Sequence, residues 1–531
     1  MKQREKKAFR KTSVIHFFLY ALSGVLTALP LVFEGLWPLG WLSMIYVLYH
    51  ELTREAGTYK GAYLRGLCFF YFYTFVVFSW FFSLYPMDFI GFDPQSALIV
   101  VLLAAFGIPL LQSIASAPSF IFAELVRKRL SPSVRPFILC LLISVLFPLC
   151  EYLHTLTWLG VPFARLAEGQ VGCLSLIQSA SLFGSYFITF IIVLFQGLLS
   201  VAIINLRKKN ARRAILCVAL SAIVFIANLT FGTVKIQSFS PDGERVSVSA
   251  IQGNIRFEDK WANKAYHTME VYAGLCEKAK SEGADLIVMP ETALPYDVTE
   301  DEAFRTYFEG LSEESASEII VTAFESEKGE LYNTARLSSD GSLSESVYKK
   351  RHLVPFGEYT PMLSFIQRVF PPLADISPIE DPLTAGDGAH LIDCKNGKVG
   401  CLICFDSIYE GLCRESTLSG ATIIALSTND SWFEGSSALY QHLSHARLRA
   451  VENGRYVIRS ANTGISAVIS PTGEILASLL EDTEGIATAE AFHMESTTLY
   501  TKTGDIALIL FALCAISLCV FATTYKKKRE K

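Results

Sequence analysis

The sequence predicts an α/β protein in two parts: a multi-pass bundle of about eight transmembrane helices, and an extracytoplasmic α/β sandwich domain placed before the last of them. Three observations carry this expectation. Hydrophobic residues make up 51% of the 531-residue chain and charged ones 18%, but the average conceals two compositions. Residues 1–232 and 504–524 are dominated by Phe, Leu, Ile and Val, whereas 240–500 have the mixed composition of a soluble domain. From Arg245 onward long apolar runs give way to short alternating segments. Basic residues also recur in every second loop between the apolar runs. The resulting boundaries are 1–232 for helices one to seven, 240–500 for the sandwich domain, 504–524 for helix eight and 525–531 for a basic tail.

Within the first part, residues 2–11 hold six basic residues ahead of an apolar run that starts at Val14. That run continues to about residue 31 and further spans follow, so it reads as a first transmembrane helix and not as a cleaved signal. Spans are expected near 14–32, 37–53, 62–84, 96–125, 136–157, 174–205, 213–231 and 504–524, the second interrupted by Pro38 and Gly40. Basic clusters fall at 2–11, at Arg54 and Lys60, and at 127–135, 207–213 and 526–531. The alternate loops 33–36, 85–95 and 158–173 contain only Arg165. This alternation places both termini in the cytoplasm and residues 240–500 on the far side. Glu151 and His154 are ionisable groups near the outer end of a span, where a structural polar contact is the favoured reading over a catalytic one.

Composition also removes some function classes. A formal charge of −5 argues against nucleic acid as a partner, and the basic clusters already have a topological use. Of the 12 cysteines, seven lie in or beside apolar segments, and the others are Cys276, Cys394, Cys401, Cys404 and Cys413. Their odd number and irregular spacing do not form a disulfide framework.

In the second part, Val246, Val248 and Ala250 alternate with serines as a strand does, and 262–282 reads as an amphipathic helix. Residues 284–289 form an apolar strand ending in Pro290-Glu291-Thr292. Strands are also expected at 319–324, 422–426, 456–460 and 465–469, with a helix over 439–453. Polar residues fall repeatedly just past strand ends, where α/β sheets place their chemistry.

The chemistry centres on residues 398–406, where an alternating apolar run ends at Cys404 and a Phe-Asp-Ser turn follows. A thiol at a strand end can lean into a cleft and act as a nucleophile, although an inert buried cysteine is the plainer reading of this stretch alone. Glu291, also past a strand end, can serve as its base if partial burial raises its pKa. Lys350 can favour thiolate and stabilise an oxyanion, and Glu358 follows a Phe-Gly turn that can return it toward the lysine. Other readings are weaker. A dyad with His352 lacks the papain-type cysteine signature, and Cys401 with Cys404 has no second pair to complete a zinc site.

Taken together, the order Glu291, Lys350, Cys404 resembles the nitrilase superfamily and its αββα sandwich. The membrane segments, with Pro290-Glu291-Thr292-Ala293, His352-Leu353-Val354-Pro355-Phe356-Gly357-Glu358-Tyr359, Asn429-Asp430-Ser431-Trp432-Phe433 and Tyr440-Gln441-His442, resemble the bacterial apolipoprotein N-acyltransferase family. The resemblance implies that Cys404 takes an acyl group from a membrane phospholipid as a thioester. It then passes that group to the α-amine of a diacylglyceryl-modified N-terminal cysteine on a lipoprotein. Glu291 is implied as base, Lys350 as oxyanion stabiliser, Glu358 as its orienter, and Trp261 and Trp432 as substrate-binding residues. No cofactor or metal is implied, and the location is the bacterial inner membrane. Phe405 and Asp406 stand where the family usually has Tyr-Glu. Phe405 keeps a backbone N–H but loses a hydroxyl, and Asp406 is expected to reach less far. Met289 and Phe163 also depart from the family pattern and are expected to bear on substrate fit. The apolar stretch 360–374, with Met362, Leu363, Phe365, Ile366, Val369 and Phe370, is expected to act as a lid toward lipid. Competing functions are a membrane-tethered amidase acting on small amides, a non-catalytic scaffold, and a transporter, for which no internal repeat is evident.

Overall fold

A computed structural model describes residues 2–87, 92–156, 160–256, 265–313, 316–369 and 382–529, and two compact units emerge. One comprises Met1–Ser79, Leu102–Gln237 and Asp505–Lys531; the other comprises Trp80–Val101 and Ser238–Gly504.

In the first unit the apolar runs become helices because length and hydropathy leave the backbone no other way to satisfy itself in lipid. Among the described residues seven helices are long and apolar enough to span: Val14–Val32, Tyr59–Leu84, Pro94–Arg127, Arg135–Leu153, Ser185–Arg207, Ala211–Gln237 and Ile506–Tyr525. The eighth expected span, at 37–53, is a 3-10 turn, Glu34–Trp41, followed by a short α-helix, Ile45–Thr53. Pro38 removes a backbone donor there. Gly40 admits the Gln170 side chain, whose Nε2 would lie 2.6 Å from an added Cβ. Gln170 Oε1 in turn accepts from Trp41 Nε1 at 2.7 Å.

Two buried carboxylates in this unit, Glu51 and Glu124, are paired with arginines. Glu51 Oε2 accepts from Arg54 Nε at 2.9 Å and Arg127 Nη2 at 2.6 Å, and its Oε1 from Arg65 Nε at 2.7 Å. Glu124 accepts from Arg54 and Arg127. Arg54 and Arg127, which the sequence offers only as loop charges, therefore also clamp two helices together, and Arg65 adds a third through Glu51. Glu151 and His154 make separate structural contacts: Glu151 accepts from Leu166 N at 2.8 Å and Thr189 Oγ1 at 2.7 Å, while His154 Nε2 lies 2.9 Å from Ser116 Oγ. Phe163 is buried with its ring edge-on to Phe78.

The second unit contains two six-stranded sheets. The first uses β1 (Arg245–Gln252), β2 (Leu286–Val288), β3 (Glu318–Glu327), β4 (Glu330–Ser339), β5 (Ser342–Lys349) and β12 (Gly485–Phe492), in the order β12-β1-β2-β3-β4-β5. The second uses β6 (Leu391–Cys394), β7 (Gly397–Ile403), β8 (Ile423–Thr428), β9 (Val457–Ala461), β10 (Ala467–Ile469) and β11 (Ile475–Ser478), in the order β11-β10-β9-β8-β7-β6. In each sheet three parallel strands are flanked by antiparallel ones.

Side-chain alternation explains the layers. Val246, Val248, Ala250, Leu286, Val288 and Ile320 face Val399, Cys401, Ile403, Ile423, Ala425 and Ile458 across a single core between the sheets. On the other face of the first sheet, Ile251, Ile287, Ile319 and Val321 pack on Tyr272, Leu275 and Cys276 of the helix Ala265–Ser281. Gly400 leaves room for the helix Glu410–Leu418, since an added Cβ would lie 2.9 Å from Ser416 Cβ. The result is the αββα arrangement. Met289 is buried on the helix side of the first sheet, so its departure from the family pattern is a packing change.

Trp80–Val101, which includes the end of the helix Tyr59–Leu84 and the start of the helix Pro94–Arg127, belongs to this unit. Met87, Ala97, Val100 and Val101 cluster with Leu84, Phe92 and Phe356, and the Trp80 ring sits edge-on to Phe433 at 5.1 Å.

Candidate active site

Cys404 immediately follows β7 and opens a 3-10 turn, Cys404–Ile408, with φ at +50°. For a residue with a side chain this left-handed backbone costs on the order of 1–3 kcal/mol, and surrounding contacts must impose it. The turn also breaks strand alternation. Cys401 points into the core between the sheets, and Cys404, which strand alternation would turn to the other face, stays among the buried residues of that core. Cys401 is therefore a packing residue whose thiol burial pushes up.

The other groups arrive from loops that follow β2 and β5. Glu291 Oε1 accepts from Lys350 Nζ at 2.8 Å and Asn333 Nδ2 at 2.9 Å, and its Oε2 accepts from Asn429 N at 3.0 Å. Lys350 is the residue after β5, and its N–H bonds Asn333 O at 2.8 Å. Its Nζ also donates to Glu358 Oε1 at 2.8 Å. Glu358 is brought back by the turn at Phe356, with φ at +65°, and Gly357, and its Oε2 accepts from Val354 N at 2.7 Å. An ammonium has three N–H bonds. Two are committed to these carboxylates, and the third has no partner among the described residues.

Electrostatics follow from this geometry. Burial works against the Lys350 charge, but Glu291 and Glu358 outweigh it and hold the lysine well above its usual range. Burial raises Glu358, and Lys350 offsets that only in part. Burial is also the largest influence on Cys404, followed by the Glu291 carboxylate. Both raise the thiol, and Lys350 counters them incompletely. Burial and the Glu291 carboxylate thus work against the thiolate that a nearby lysine by itself would favour.

Asp406 reaches further than expected. Its Oδ1 accepts from His352 N at 2.8 Å and Arg351 N at 3.2 Å, and its Oδ2 from Tyr348 Oη at 2.8 Å and Ile403 N at 3.0 Å. This buried carboxylate thus ties the lysine loop to the strand end that carries the nucleophile. The shorter side chain suffices because β5 brings Tyr348 alongside it. Phe405 is buried, edge-on to Tyr409, which stacks on His352 at 3.8 Å. Trp432 is half-buried in the turn Asp430–Phe433. Trp261 lies outside the described residues, as do 370–374 of the expected lid. The described part of that stretch includes a helix, Leu363–Val369. Sequence reasoning gave no role to Asn333, Asn429 or Tyr348. Asn429 stood in a motif shared with the family, and the other two were signalled only by their position in strands.

The site thus pairs a strained cysteine with a carboxylate and a lysine held by a second carboxylate. Matches to known proteins fall over the same residues. The family model described as Carbon-nitrogen hydrolase matches residues 247–493, and the one described as Apolipoprotein N-acyltransferase N-terminal domain matches 23–198. A Geobacter metallireducens protein named apolipoprotein N-acyltransferase is 30% identical over 96% of each chain. The chain belongs to the apolipoprotein N-acyltransferase family. Proteins of that name from Pasteurella multocida and Gloeobacter violaceus are 26% and 27% identical, each covering at least 96% of both chains. Family membership therefore joins the membrane bundle and the carbon–nitrogen hydrolase domain as parts of one N-acyltransferase.

Proposed function

We propose that the protein transfers a fatty acyl group from a membrane phospholipid, through a Cys404 thioester, to the α-amine of a lipoprotein's diacylglyceryl-modified N-terminal cysteine. Glu291 takes the thiol proton as Sγ attacks the ester carbonyl. The tetrahedral oxyanion receives the third N–H of Lys350 and the Phe405 backbone N–H. The C–O bond then breaks, Glu291 returns the proton to the departing alkoxide, and a lysophospholipid leaves. In the second half the acceptor amine attacks the thioester, Glu291 accepts its proton, the C–S bond breaks and the thiol is restored as the amide forms. Glu358 keeps Lys350 in place through both halves. The observation that carries this reading is the uncommitted N–H of a lysine whose other two are fixed by Glu291 and Glu358. The loop charges support an inner-membrane protein with cytoplasmic termini and an extracytoplasmic sandwich domain.

Incubation with acyl-labelled phospholipid tests this directly. Label is expected on the protein and is expected to be released by hydroxylamine, which cleaves thioesters. Cys404→Ser is expected to abolish it and Cys401→Ser to spare it; the reverse result moves the nucleophile.

The helix Leu363–Val369 supports a lipid-facing role. Phe365 and Val369 are 58% and 63% exposed, too much apolar surface for an ordinary soluble loop, while Ile366 anchors the helix inward. Phe365→Glu combined with Val369→Glu is expected to reduce phospholipid turnover by about tenfold, equivalent to roughly 1.4 kcal/mol, without changing the melting temperature. Unchanged turnover removes the lid role.

A further inference from the structure

The strained backbone at Cys404 is held from both sides. Upstream, Ile403 N donates to Asp406 Oδ2 at 3.0 Å. Downstream, the Cys404 carbonyl oxygen accepts from Ser407 Oγ at 2.8 Å and lies 3.3 Å from His442 Nε2. The same Nε2 is 2.8 Å from Ser407 Oγ. A carbonyl oxygen and a carboxylate can only accept, so the Nε2 contact with Cys404 and the Nδ1 contact with Asp430 are both hydrogen bonds when the ring carries a proton on each nitrogen. The serine hydroxyl then accepts from Nε2 while giving its own hydrogen to Cys404.

The far side of the imidazole is fixed equally firmly. His442 Nδ1 lies 3.0 Å from Asp430 Oδ1 and 3.2 Å from Arg459 Nη2. Arg459 Nη2 donates to Asp430 Oδ2 at 2.6 Å, and Thr428 Oγ1 donates to Asp430 Oδ1 at 3.0 Å. Burial alone would raise the Asp430 carboxyl, but Arg459 and His442 more than offset it and keep it ionised. Ser407, His442, Asp430 and Arg459 are all buried. Phe433 packs edge-on to the His442 ring at 6.2 Å and 87°, backed by Trp80.

The residue types are those of a Ser-His-Asp triad, but the directions are wrong for a second nucleophile. Ser407 is fully buried and spends its proton on the Cys404 carbonyl. We propose that Asp430, His442 and Ser407 form a positioning device that anchors the Cys404 carbonyl and thereby aims Sγ at the acyl carbonyl. His442 is its central positioning residue and touches no reacting atom. The inference rests on Cys404 being the nucleophile. Both half-reactions need the sulfur in one place, and a misplacement of about 1 Å can cost on the order of 100-fold in rate.

The test uses full-length protein in detergent micelles with acyl-labelled phospholipid, measuring the rate of Cys404 acylation, KM for the donor and the melting temperature. His442→Leu removes the ring donor, His442→Gln places an amide N–H near the Nε2 position, and Ser407→Ala removes the other donor. Expected losses in acylation rate are about 10- to 100-fold for His442→Leu and roughly 3- to 10-fold for Ser407→Ala, with KM within about twofold of the parent. His442→Gln is expected to recover most of the rate. Equal losses in the Leu and Gln variants, or a loss carried by KM, overturn the proposal in favour of a plain packing role. Should His442→Leu fail to fold, a parent-like acylation rate in Ser407→Ala overturns it. Cys404→Ser separates the two layers. Label surviving on that variant defeats the nucleophile assignment itself. Label lost there, with a parent-like rate in His442→Leu, defeats only the positioning role.

Discussion

Replacing Glu291 by Gln is expected to lower acyl transfer by roughly 10^3- to 10^4-fold, the range of a lost general base. The amide keeps the size of the carboxylate, and its one oxygen can still accept from Lys350 and Asn333, while the bond from Asn429 N is lost. It cannot take the thiol proton in either half-reaction. The accompanying change in the thiol sharpens the test. Glu291 raises the Cys404 thiol, so removing its charge should lower that pKa and shift iodoacetamide alkylation of Cys404 to lower pH. A variant whose cysteine ionises more readily yet transfers no acyl group is the signature of a base. If turnover instead follows thiol ionisation, Glu291 serves only as an electrostatic neighbour.

Lys350→Met is expected to cost about 10^2- to 10^3-fold in turnover through the lost oxyanion donor. It is also expected to cost on the order of 3–5 kcal/mol in stability, because two buried carboxylates lose the cation between them. The pH dependence should mark the cause. Without the ammonium, burial and mutual repulsion hold at least one folded-state carboxyl pKa above the unfolded value of about 4.3. The folded variant then binds more protons than the unfolded chain between those two values. Its stability should rise as pH falls through the raised pKa, and the gain should be complete below the unfolded one. Parallel thermal melts of parent and variant at pH 5 and pH 8 read this out. The deficit should narrow at pH 5, and a deficit independent of pH assigns the loss to packing.

Much of the protein was legible from local pattern. Apolar runs long enough to span, a change to alternating strands after Arg245, and Glu291, Lys350 and Cys404 past strand ends all follow from short stretches of sequence. The strands that escaped notice were β4 to β6, β11 and β12. All are antiparallel flanking strands with more polar, half-exposed faces, where alternation is a weak signal. The interruption of the second span at Pro38 and Gly40 was legible, but its packing against Gln170, a residue far along the chain, was not. Trp80–Val101 read as the end of one span, a loop and the start of the next, yet it belongs to the sandwich-containing unit.

By itself the sequence determined which segments are compatible with lipid, which alternate as strands, and which reactive side chains follow strand ends. These are properties of neighbouring residues and add along the chain. Tertiary structure alone decided the left-handed turn at Cys404, how far Asp406 reaches, and that two of the Lys350 N–H bonds go to Glu291 and Glu358. It also decided that burial and Glu291 raise the Cys404 thiol more than Lys350 lowers it. Each of these depends on burial and on partners dozens of residues away, such as Glu291 and Lys350, which meet only when the loops after β2 and β5 converge.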